Sequence, residues 1–125
     1  LGKKYDSKKF NTIVKACELE NFVKKRVNDI NLKSNISAKV SGGEAQRLGI
    51  ARALYQEPKI LIMDESTNAL DKNNERKILN YIYSIKSITI FFIAHNTSSL
   101  FGCDKIINFY SKGKAKLDEN YLIKK

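Results

Sequence analysis

The stretch from Val40 to Asp71, VSGGEAQRLGIARALYQEPKILIMDESTNALD, constrains this chain more than any other. It reads as a loop, a helix, a buried strand and a sharp turn, with polar groups at the junctions. Ser41 is a good N-cap, and Glu44 follows at the spacing of a capping box, in which each residue satisfies a backbone amide of the other. Gly42 and Gly43 in the first turn each cost about 1 kcal/mol of helix propensity against Ala. A helix start selected for stability alone seldom accepts two. What they supply is bare backbone that another surface, or a phosphate, can approach closely. The plain alternative is a glycine-rich loop that merely starts a helix.

Ala45, Leu48, Ala51 and Leu54 recur on one helical face, widened by Ile50 and Tyr55. Gly49 predicts close helix packing. Arg47 and Arg52 fall off this face, as solvated or ion-paired surface. Pro58 stops the helix. Ile60-Leu61-Ile62-Met63 is a continuous apolar run, the pattern of a central parallel strand covered on both faces. It ends in Asp64-Glu65. Adjacent carboxylates after a buried strand are costly unless they hold a metal or do chemistry, and open α/β sheets bind ligands at the carboxyl ends of their strands. An ordinary acidic turn is the other reading.

A chain of 125 residues is one domain or part of one. It begins at Leu1 rather than Met and is expected to be excised from something longer. No segment reaches the roughly 18 apolar residues of a membrane span, and no signal peptide is visible. Cys17 and Cys103 form no C-x-x-C pair and are expected as free thiols, with a disulfide still open. The net charge of +10 raises the question of nucleic acid. Lys far outnumbers Arg, however, and the charges are scattered without interleaved aromatics, so no nucleic-acid partner is expected.

Along the rest of the chain, Asp6 or Ser7 caps a helix whose stripe is Phe10, Ile13, Val14 and Cys17 and which runs to about Glu18. Leu19 to Lys25 reads as a second short helix. Residues 26–39 lack a period and read as a loop. Asp71 or Asn73 caps a helix with a stripe of Ile78, Leu79, Ile82 and Ile85. Ile88 to Ala94 is a second buried strand, rich in β-branched and aromatic residues, and His95 follows it. A lone histidine is more often structural; its place at a strand end, shared with Asp64 and Glu65, favours function. Thr97 to Phe101 reads as a short helix, and Lys105 to Tyr110 as a strand. Lys112-Gly113-Lys114 reads as a hairpin turn and Ala115 to Leu117 as the returning strand. Residues 118–125 look like the start of something cut short.

Four of these segments together resemble the nucleotide-binding domain of the ATP-binding-cassette (ABC) ATPases. Val40-Ser41-Gly42-Gly43-Glu44 is similar to the family's signature loop, usually LSGGQ. Ile60 to Asp64 resembles its Walker B strand, with Glu65 in the catalytic-glutamate position. Asn68-Ala69-Leu70-Asp71 resembles the D-loop, and His95 the switch histidine. Order and spacing make the match specific, from about Lys9 to Leu117. Two departures stand out: Ser34 to Lys39 replaces the exporters' TEVGE-like segment, and Asn96 replaces the usual Arg after the histidine.

The resemblance implies an α/β, partial P-loop NTPase fold. Residues 1–57 would form the helical signature subdomain and residues 58–125 part of the mainly parallel ATPase core, a single truncated domain overall. It implies ATP and Mg²⁺ as ligands, a second nucleotide-binding domain bound head to tail, transmembrane domains as further partners, and a place on the cytoplasmic face of the (inner) membrane. Ser41, Gly42, Gly43 and Glu44 would face a γ-phosphate held by the second copy. Asp64 would hold Mg²⁺ through water, Glu65 would orient or deprotonate the attacking water, and His95 would contact the γ-phosphate. Asn68, Ala69, Leu70 and Asp71 would report across the seam. The chain contains no G-x-x-x-x-G-K-[ST] loop, so it carries the site parts that do not grip nucleotide. Glu44 and the positive charge lean toward chromosome-maintenance and DNA-repair ATPases of the SMC type. Gln46-Arg47 and Ile50-Ala51-Arg52-Ala53-Leu54, with short helices before the signature, lean more strongly toward transporters. A non-catalytic module that kept only the fold is the third possibility; intact Glu65 and His95 argue against it.

Overall fold

The computed structural model describes residues 5–31, 40–110 and 113–118. Helix α1 (Ser7–Ala16) opens on Asp6, whose carboxylate accepts from the Lys9 amide at 3.0 Å. It ends in a Schellman turn: the Leu19 amide donates to Val14 and the Glu18 amide to Lys15, with Glu18 itself left-handed at φ 52°. Ile13, Val14, Cys17 and Leu19 are buried as their spacing requires.

Helix α2 spans Glu20–Asn31, so the expected loop at residues 26–31 is helical instead. Phe22 and Val23 pack against the core and anchor its first turns; Val27 and Ile30 continue the spacing of Val23, a signal that the many charged and Asn residues between them obscure. The remainder of that expected loop, residues 32–39 with the departure at Ser34 to Lys39, lies outside the described residues.

Helix α3 (Gly42–Tyr55) carries the capping box in full: Ser41 Oγ accepts from the Glu44 amide at 3.2 Å, and Glu44 Oε2 accepts from the Ser41 amide at 2.9 Å. Its buried face is Ile50, Ala51 and Leu54. Ala45 and Leu48 are exposed, which corrects the expected stripe. Gly49 has open space around its α-carbon rather than a packed neighbour. Arg47 is half-buried, not on the surface, and its Nε has no hydrogen-bond partner among the described residues. The helix is rotated so that Arg47, not Leu48, turns toward α1. At its end Glu57 takes φ 52° and donates to Leu54, and Pro58 forbids continuation.

Strands β1 (Ile60–Asp64) and β2 (Thr89–Ile93) pair in parallel, with Ile60 opposite Thr89 and Asp64 opposite Ile93. Between them runs α4 (Lys72–Ser84), capped by Asp71, with Ile78, Leu79 and Ile82 buried. Leu61 and Met63 of β1 join these residues, Ile13, Cys17 and Leu54 in one core. The strand is not covered on both faces as expected. Among the described residues helices lie on one side only, so β1 alternates between buried and exposed, and β2, expected to be buried, between half-buried and exposed. Ile62 is 68% exposed and Phe91 57%, with Ile60 and Ile93 beside them. The chain in isolation is therefore expected to self-associate, because contiguous apolar surface of this kind is uncommon on a monomer. Sedimentation across a concentration series checks this; a concentration-independent monomer would count against it.

After β2 a 3-10 turn (Thr97–Leu100) leads to an antiparallel hairpin of β3 (Ile107–Tyr110) and β4 (Lys114–Leu117). Gly113 takes φ 69° at its turn, where a side chain would be strained. Both cysteines are free. Burial pushes the Cys17 thiol up to about 11, against the smaller opposing pull of Arg47, so it is an inert thiol at neutral pH. The reading of residues 118–125 falls, beyond 118, outside the described residues.

Candidate functional site

The parallel register brings the carboxyl ends of β1 and β2 side by side. Asp64 closes β1 as an exposed carboxylate, and the Glu65 amide extends the ladder by donating to Ile93 at 3.1 Å. Glu65 then turns left-handed, φ 47°, which is unfavourable for a side chain-bearing residue by about 1–3 kcal/mol and collects at functional sites. The turn redirects its carboxylate toward His95, which follows β2. His95 Nε2 lies 2.6 Å from Glu65 Oε1, and the other carboxylate oxygen accepts from Asn68 Nδ2 at 2.8 Å. Glu65 is thus held from both sides, while the His95 side chain remains 87% exposed. A cleft of about 350 Å³ opens beside Asp64 and Glu65, between β1 and α3, with Gln46, Gly49 and Ile62 among its walls.

The signature-like loop sits at the start of α3. The amides of Gly42 and Gly43 belong to the first helical turn, whose donors have no intrahelical acceptor. Ser41 Oγ accepts from the Glu44 amide, and its hydroxyl also faces the Glu44 carboxylate. The Ser41 amide first, and its hydroxyl second, hold the Glu44 carboxyl below its ordinary range. Gly43 has a second reason to lack a side chain: a β-carbon there would lie 3.0 Å from the Ala69 carbonyl oxygen. The loop therefore packs on the turn that follows Glu65. That packing is locked by Gln46, whose Oε1 accepts from the Ala69 amide at 2.9 Å.

Of the four residues expected at a seam, Asn68 holds Glu65 and Ala69 meets Gln46. Leu70 is half-buried against Gly43. Asp71 caps α4, accepting from the Asn73 and Asn74 amides; the Asn74 amide contributes most to holding its carboxyl low. Sequence reasoning missed Gln46, Thr67, Glu75 and Ser99. Glu75 did leave a signal, since it shares the helical face of Ile78, Leu79 and Ile82, where a carboxylate needs a partner. Nothing local marked Ser99.

Two parallel strand ends deliver Asp64, Glu65 and His95 to one edge of an α/β sheet, the place where such sheets bind ligands. Comparison with known proteins makes this specific. Residues 3–68 match the ABC transporter family. A Rickettsia typhi protein that bears the name export ATP-binding/permease protein is 43% identical over 106 residues, 83% of this chain and 18% of its own length. Multidrug resistance protein sirA of Leptosphaeria maculans is 40% identical over 73% of this chain and 7% of its own length. The solved structure of a bacterial Atm1-family ABC exporter with ATP bound superposes with a TM-score of 0.65 at 26% identity, covering 85% of this chain and 19% of that one. The chain belongs to the ABC transporter family, is exporter-like, and carries part of the ATP-binding domain. It spans about a fifth of the length of the Rickettsia protein. Among the described residues no helix is long and apolar enough to cross a membrane.

Proposed function

We propose that this chain supplies half of a composite ATP-hydrolysing site that powers export, the other half coming from a phosphate-binding loop outside these residues. The observation that carries the reading is the Glu65 carboxylate, fixed between His95 and Asn68 at the end of paired parallel strands. In this reading Glu65 orients or deprotonates the attacking water. His95, close by and largely exposed, reaches the γ-phosphate and helps fix that water. Ser41 and the amides of Gly42 and Gly43, with Glu44 beside them, face the γ-phosphate of a second copy bound head to tail, favoured by the helix N-terminus. Asn68, Ala69, Leu70 and Asp71 lie at the seam between the copies.

No set of three His, Cys, Asp or Glu residues among the described residues could cage a metal. Mg²⁺ keeps most of its waters and takes one or two carboxylates plus substrate phosphates, a demand that an exposed strand-end carboxylate fits. Asp64, exposed beside Glu65, would hold it through water; bound there, Mg²⁺ would neutralise charge on the transferring phosphoryl group. The helical part, residues 1–57, would meet transmembrane domains at the cytoplasmic face of the membrane, and residues 58–125 would belong to the ATPase core. No nucleic-acid partner is proposed.

Phosphoryl transfer depends on positioning and electrostatics, so half a site should do little. Calorimetry of the 125-residue chain with Mg-ATP is expected to detect no micromolar binding, and a phosphate-release assay no turnover. Micromolar affinity would overturn the division of labour proposed here.

A further inference from the structure

Glu75 lies on the first turn of α4, away from the cleft, yet it touches both halves of the Glu65–His95 pair indirectly. Its Oε1 accepts from Thr67 Oγ1 at 2.8 Å and from Ser99 Oγ at 2.7 Å. Thr67 is two residues past Glu65, and Ser99 four past His95; they are 3% and 4% exposed. One oxygen therefore joins the turn leaving β1 to the turn leaving β2. The second turn is held again further along α4, where Tyr83 donates its hydroxyl proton to the Ser99 carbonyl at 2.9 Å. Gly102 lies so close to the Tyr83 ring that a β-carbon would come within 2.1 Å of it.

The geometry is more than core satisfaction. Beyond Asp64 and Ile93 the ladder ends, apart from the one bond from the Glu65 amide. His95 is 87% exposed, so packing does not set its distance from Glu65. Besides the Glu65–Ile93 bond and the direct contact, the link that ties the two turns together is the bridge through Glu75. We infer that Glu75 is a positioning residue: through Thr67 and Ser99 its Oε1 fixes the spacing of the two strand-end turns and so holds His95 against Glu65. This deepens the reading above and rests on it for its relevance to hydrolysis, but the contact itself can be measured without turnover.

The test is NMR on the 125-residue chain, reading cross-peaks between the His95 ring protons and the Glu65 side chain. Glu75→Ala is expected to lose them while amide shifts in β1 and α4 show the fold retained. Glu75→Gln, which keeps an oxygen able to accept from both hydroxyls, is expected to keep them. Cross-peaks unchanged in Glu75→Ala would overturn the proposal, as would their loss in Glu75→Gln or their absence from the unsubstituted chain. Should Glu75→Ala not fold, Thr67→Val and Ser99→Ala each cut one arm of the bridge. Weakened cross-peaks in both would support the assignment, and unchanged ones in both would overturn it. Failure of the hydrolysis reading would appear instead as unaltered turnover on substitution of Glu65, so the two are separable.

Discussion

Glu65→Gln, made in the full-length protein that contains this chain, is expected to lower ATP turnover by about 100-fold or more while ATP-dependent dimers persist. The magnitude follows from what a positioned base contributes, roughly 10²–10⁴ in rate, which is about 2.7 kcal/mol or more of barrier. Gln matches Glu in shape and keeps an oxygen for Asn68 Nδ2, so the local turn should hold. It loses the charge and basicity that would act on water. Nucleotide binding draws on the phosphate loop and on Ser41 and its neighbours, which the substitution leaves alone. Phosphate release and size-exclusion chromatography with and without ATP read the two effects separately. Unchanged hydrolysis would remove Glu65 from its role.

Ile82→Ala should be the largest stability effect in the chain. Ile82 is fully buried on α4, in the core that joins α1, α3 and β1. Truncation removes buried methyl groups and leaves a cavity that surrounding helices fill only in part, at a cost of about 2–5 kcal/mol. Natural domains hold only about 5–15 kcal/mol in all, and this one leaves a sheet face uncovered. Urea denaturation of the variant is expected to show loss of most of the cooperative transition. Asn80→Ala, on the exposed side of the same helix, is expected to stay within about 0.5 kcal/mol of the parent. A loss below about 1 kcal/mol at Ile82 would mean that α4 does not seal the core as described.

The parts of this fold that were legible in the sequence are those fixed by local chemistry. Ser41 with Glu44 dictated a capping box, Asp71 preceded a helix it could cap, and two apolar runs ending in Asp64 and His95 dictated strands whose ends could meet. What local pattern could not decide was which side of an element meets a neighbour. The choice between Leu48 and Arg47 on α3 was settled by where α1 lies. The continuous run in β1 promised two covered faces, but the described residues place helices on one. Helix α2 continued past its first turns, with Val27 and Ile30 at helical spacing from Val23 among charged and Asn residues that read as a loop. At the site, the pair of acids and the histidine were visible as residue types at strand ends. The clasp of Gln46 on Ala69 and the bridge through Glu75 join residues far apart in sequence, and only the folded chain brings them together.

The central claim is that the Ser41 loop of one copy and the strand-end acids and histidine of another enclose a single terminal phosphate. A structure of the full-length protein carrying Glu65→Gln, with Mg-ATP bound, tests it most directly. The account predicts Ser41 Oγ and the Gly43 amide within hydrogen-bond reach of the γ-phosphate, with His95 of the opposite copy on the same phosphate and Asp64 of that copy beside its Mg²⁺. A γ-phosphate enclosed by one copy alone, with Ser41 facing solvent, would contradict it.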